Sequence, residues 1–137
     1  KSPFFNEVYP LLESAYGERE WEFLAPFNLK LIEIICGYLS ITVKTRRSST
    51  MKTRGASTGL LIDVVTKLHG TVYLSGTGGA DYLEEDKFKE HAITLTYTDF
   101  KHPVYNQLWG EFIPGTSIID LLFNCGAASR QHLVPQA

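Results

Sequence analysis

"GLLIDVVTKLHGTVYLSGTGGADYL", residues 59–83, decides the fold class. Its first part reads as a helix that Thr58 can cap and Gly70 stops. "TVYLSG" follows at once, a short apolar run of the kind found in a strand buried on both faces. Glycines come next, and then "DYLEEDKFKEHA", a charged helical stretch. Strands alternating with helices pair in parallel, joined by crossovers.

The segments on either side extend that pattern. "SPFFNEVYPLLESAYG" predicts a helix with Ser2 as N-cap and Pro3 in the first turn, kinked or split at Pro10. A second helix is strongest over Phe27–Tyr38, with Leu31, Ile34, Ile35 and Tyr38 as its buried stripe. Its apolar density suggests packing on a sheet. Ile41–Thr45 alternates β-branched residues and predicts a strand. "ITLTYTDF" predicts another, and "SIIDLLFNCG" a closing helix with Ser117 and Asp120 as a capping box. The expected fold is α/β, a small mostly parallel sheet flanked by helices in the order ααβαβαβα. Residues 1–126 read as one domain and 127–137 as a flexible tail.

A chain of 137 residues with net charge −2 has no general basic field for nucleic acid. The cations cluster nevertheless: "KTRRSSTMKTR", residues 44–54, holds five of the thirteen Lys and Arg residues and no acid. Cys36 and Cys125 read as free thiols of a reducing, cytoplasmic protein. No signal peptide or membrane span is visible, and no His or Cys pair has metal-ligand spacing. The chain opens at Lys1 without an initiator methionine, the mark of a fragment.

In parallel sheets, ligands bind beyond the carboxyl ends of the strands. Three loops fall there. In the first, Arg47, Ser48 and Ser49 suit a phosphate or carboxylate, or form a solvated basic loop. In the second, Ser75, Gly76, Gly78 and Gly79 let a ligand approach the backbone, or make a turn needing positive φ. On the latter reading Asp81 caps a helix and Tyr82 is core. In the third, His102 can move a proton with Asp99 orienting it, and Tyr105, Gln107 and Trp109 can shape a pocket. The plainer reading has those aromatics fastening the loop to the core. His69 and His91, near helix C-termini, read as dipole partners.

"YLSGTGGADYLEEDKF" and "HPVYNQLWGEFIPGTSIIDLLFNCG" resemble the carboxyl-terminal half of the WbqC-like protein family, over roughly residues 25–126. The Arg47-Ser48-Ser49 stretch and "STGLLIDVVTKLHG" fit the same pattern. The family motif falls on Ser75, Gly76, Gly79, Asp81, Tyr82, His102, Pro103, Tyr105, Gln107, Trp109, Asp120 and Asn124. The resemblance implies a transferase in bacterial surface-polysaccharide (O-antigen) or amino-sugar biosynthesis, transferring acyl or aminoacyl groups. His102, Asp81 and Asp99 would be its catalytic groups, and the other loop residues would hold a nucleotide or nucleotide-sugar. No cofactor is indicated, and a homodimer is compatible with the pattern. The family's opening His-Gln-Pro strand is missing here, which favours a second class, a non-catalytic binding or assembly module.

Overall fold

The computed structural model describes residues 1–17 and 20–133. They form two compact units, one running to Val43 and resuming at His102, the other spanning Lys44–Lys101.

The second unit carries the α/β pattern. Helix α3 (Ser57–Lys67) leads to strand β1 (Val72–Ser75), a 3-10 turn at Thr77–Asp81, helix α4 (Glu85–Glu90) and strand β2 (Thr94–Tyr97). The strands pair in parallel, Val72 opposite Thr94 and Ser75 opposite Tyr97. Ile62, Val65, Leu83, Phe88 and Ile93 make the core beneath them, and the Tyr73 ring stacks on Phe88 with centroids 5.4 Å apart. Thr58 does not cap α3. It lies fully buried inside the helix, and its hydroxyl accepts the Glu84 amide at 3.2 Å, tying α3 to the start of α4.

The first unit is helical. Helix α1 (Phe5–Gly17) runs through Pro10 without a break and buries Val8, Leu12 and Ala15. Helix α2 (Leu24–Tyr38) has no buried residue, and Leu24 and Ile32 are exposed. The expected packing of α2 on a sheet is therefore corrected: Leu31, Ile35 and Tyr38 meet the core of Val8, Leu12, Leu39 and Leu122, which helices supply. Tyr38 donates to Glu7 at 2.8 Å, and burial first, then that carboxylate, pushes its hydroxyl up to about 12. Helix α5 (Ile118–Cys125) starts at Ser117, whose hydroxyl accepts the Ile119 amide. Of the expected tail 127–137, the described residues up to Leu133 are structured. A 3-10 turn at Gly126–Ala128 and helix α6 (Ser129–Leu133) bury Ser129, and Arg130 donates to the Ser40 carbonyl at 2.8 Å. The expected tail residues 134–137 lie outside the described residues.

The α/β class holds, with two strands among the described residues where three were expected. Residues 41–47 belong to neither strand nor helix, and Val43 is exposed. Alternation marks a segment that fits a pleated surface; a strand also needs a ladder partner and a face to bury, and among the described residues this segment has no ladder partner and rests only Ile41 on a core.

Candidate functional site

The candidate residues divide between the units. Arg47, Ser48, Ser49, Ser75, Gly76, Gly78, Gly79, Asp81, Tyr82 and Asp99 belong to the second, and His102, Tyr105, Gln107 and Trp109 to the first.

The glycine stretch follows β1, at the carboxyl end of a parallel strand. None of its glycines has positive φ, which corrects one reason for their presence. Gly79 is needed for close approach. A Cβ there would strike the Ser75 hydroxyl and come within 2.9 Å of Leu83 Cδ1. Gly76 and Gly78 face open space. Ser75 is almost fully buried and donates to the Gly76 carbonyl at 3.0 Å. Asp81 ends the 3-10 turn and does not cap α4, which begins after Glu84. Tyr82 is not core, since 65% of it is exposed. Gly79→Ala is expected to cost about 1–2 kcal/mol, because the groups it meets are the ends of side chains that can move. Gly78→Ala should leave the denaturation midpoint unchanged, and urea melts of the two variants check this.

The basic loop does not follow a strand as expected. Ser48–Thr50 form a 3-10 turn in which Arg47, Ser48 and Ser49 are exposed. Asp99 has Lys101 as its ion-pair partner at 3.8 Å, both side chains largely exposed.

The third loop is held by one carboxylate. Asp120 Oδ2 accepts the Tyr105 hydroxyl at 2.7 Å and the Gln107 amide at 2.9 Å, with Thr116 at 3.4 Å. Asn124, one helical turn on, donates to Asp120 Oδ1 at 3.2 Å and to its carbonyl at 2.8 Å. Gln107 also clasps the backbone of Ile113, accepting its amide at 2.8 Å and donating to its carbonyl at 3.0 Å. The Tyr105 ring meets Phe112 edge-on at 5.3 Å. Burial raises the Tyr105 hydroxyl above its ordinary value, Asp120 adds to that, and Thr116 and Gln107 oppose it. Outside this clasp Trp109 is 80% exposed, with Val104 and Ile113 exposed on the same loop. His102 is exposed.

Asp120 was legible only as a helix cap and a motif position. Its side chain turns instead to residues thirteen and fifteen positions earlier. The i, i+4 pair Asp120–Asn124 was the available signal, two polar groups on one face of an apolar helix.

Cys36 and Cys125 are free, and burial, then Asp120, raises the Cys125 thiol, which makes it a poor nucleophile. Among the described residues no cluster of His, Cys, Asp and Glu could hold a metal ion, and no helix is long and apolar enough to cross a membrane.

The model of the WbqC-like protein family matches residues 1–132, farther toward the amino terminus than the quoted strings reach. The chain is also 34% identical over 130 residues to "Uncharacterized protein Rv1507c" of Mycobacterium tuberculosis (strain ATCC 25618 / H37Rv). That match covers 94% of this chain and 56% of the relative, so the chain spans about half the relative's length. No solved structure matches it.

Proposed function

The chain belongs to the WbqC-like protein family, and on that premise we propose that it serves as a transferase in bacterial surface-polysaccharide (O-antigen) or amino-sugar biosynthesis, using a phosphate-bearing donor. The observation that carries this reading is the clasp on Asp120. It fixes a loop bearing family-motif residues and leaves the Trp109 ring outward, a rigid aromatic face suited to a sugar. In this reading Tyr105 and Trp109 shape the acceptor pocket and His102 moves the proton, with Asp81 and Asp99 as the accompanying carboxylates. Arg47, Ser48 and Ser49, with Ser75, Gly76, Gly78 and Gly79, hold the donor, and Tyr82 offers it an exposed ring.

One observation favours the second reading, a cytoplasmic binding module without chemistry. Both Asp120 oxygens are occupied by donors of the chain itself, so this carboxylate positions the loop and has little capacity left for a substrate. Thermal melts against a panel of nucleotides and nucleotide-sugars, followed by a transfer assay, separate the two. A ligand at about 100-fold its Kd should add about 2.7 kcal/mol. The transferase reading expects His102→Ala to abolish turnover while keeping that shift. A shift without turnover in the unaltered full-length polypeptide supports the module, and no shift with any compound overturns both.

A further inference from the structure

The basic loop and the end of α3 line an open, shallow cavity that the sugar reading does not use. It measures about 620 Å³ and is lined by Arg46, Thr50, Met51, Lys67, Leu68 and His69. All six residues lie in the second unit.

Its walls are held from both sides. Asp63 Oδ2 accepts Lys67 Nζ at 2.7 Å and the Arg54 amide at 2.8 Å, and Lys67 Nζ also donates to the Lys52 carbonyl at 2.8 Å. Those two donors, Lys67 first, hold the Asp63 carboxyl below its ordinary value. On the loop, the Thr50 amide and hydroxyl both donate to the Arg47 carbonyl. The cavity is therefore shaped before any ligand arrives, which lowers the ordering cost of binding.

The charge balance favours an anion. Asp63 is already engaged, Lys67 has a third N–H to give, and the Arg46 side chain makes no hydrogen bond or ion pair among the described residues. The C-terminus of a helix would ordinarily oppose an anion. Here the carbonyls of Val64, Val65 and Thr66 are engaged by the amides of Leu68, His69 and Gly70, which blunts that opposition beside the Arg46 and Lys67 cations. Met51 and Leu68 add an apolar floor.

We propose that this cavity binds a phosphate-bearing small molecule of nucleotide size, Arg46 taking the phosphate bidentately beside Lys67 and His69, with the organic part over Met51 and Leu68. The site stands apart from the transferase reading, because it requires binding and no chemistry.

The test is an amide-resolved NMR titration of the 137-residue chain with AMP, adenosine, inorganic phosphate, vesicles of anionic phospholipid, and a single-stranded oligonucleotide. AMP should saturate with shifts centred on residues 46, 50, 51 and 67–69, adenosine should give none, and phosphate should bind more weakly. Arg46→Ala should weaken AMP at least tenfold with an unchanged melting temperature, and Arg46→Lys, which loses the fork, should restore only part. Four results would overturn the proposal. They are no saturable shift, phosphate binding as tightly as AMP, binding confined to vesicles or oligonucleotide, and AMP affinity unaffected by Arg46→Ala.

Discussion

Gly126→Ala is expected to destabilise the first unit by about 3–5 kcal/mol, more than Gly79→Ala. Two costs add at this position. Gly126 ends α5 with φ +57° and ψ −143°, near a backbone region open essentially to glycine alone. A Cβ there would also lie 2.6 Å from Phe4 Cε1 and 2.8 Å from Cγ. An aromatic ring cannot yield as a methyl end does, and Phe4 packs against the helical core while its amide donates to the Phe123 carbonyl at 3.1 Å. Moving the ring therefore moves the start of α1. The contrast with Gly79→Ala, where only side-chain ends must shift, makes the pair informative. Urea denaturation followed by far-ultraviolet circular dichroism should show the Gly126 variant largely unfolded under conditions where the Gly79 variant is folded. A midpoint within experimental error of the original chain would mean that Phe4 and Gly126 are not packed as described.

Asp120→Ala should cost about 2–3 kcal/mol and release the loop from residue 105 to 116. Hydrogen bonds to a charged acceptor are worth about 1.5–3 kcal/mol each, but Tyr105, Gln107 and Asn124 are half-buried and can recover part of the loss from water. The sum therefore stays well below that of separate bonds. Asp120→Asn keeps one acceptor oxygen and should cost less. The sign of the accompanying pH effect is fixed by Tyr105, whose hydroxyl is raised in the folded chain. The neutral phenol is favoured by folding, so stability is lost as the pH rises above the unfolded tyrosine value, and Tyr105→Phe should make that alkaline limb shallower, Tyr38 supplying much of what remains. Hydrogen exchange on residues 105–116 reads the release directly: protection should fall in Asp120→Ala and stay unchanged in Gly79→Ala.

The elements that were legible in the sequence are those whose signal is local. Helix α3, strands β1 and β2 and the Ser117 cap all declare themselves within a dozen residues, and a strand–helix–strand order implies parallel pairing. Ile41–Thr45 misled because alternation describes one chain, whereas a ladder takes two. Of the glycines after β1, Gly79 is required, and not through the positive φ that one reading assigned to the turn. Positive φ is a property of one residue, while the packing of Gly79 on Ser75 and Leu83 arises only after the chain turns back on itself. Tyr82 shows the limit from the other side, since its neighbours in sequence could not tell core from surface. The clasp on Asp120 joins residues thirteen and fifteen apart across an irregular loop, where no periodicity exists to read. The cavity beside His69 likewise depends on how a polar loop folds onto a helix end, although its cations were visible as a cluster.

On the proposed function, the loop pinned by Asp120 presents a surface for a sugar. The most direct measurement is an NMR titration of the folded chain with a panel of nucleotide-sugars, watching the indole Nε1–H of Trp109 and the amides of Tyr105 and Gln107. Saturable shifts of all three, lost in Asp120→Ala and retained in Glu33→Ala, an exposed position on α2, are the predicted result. A Trp109 indole that stays unmoved at millimolar concentrations of every compound, in a chain whose loop amides remain protected, would contradict it.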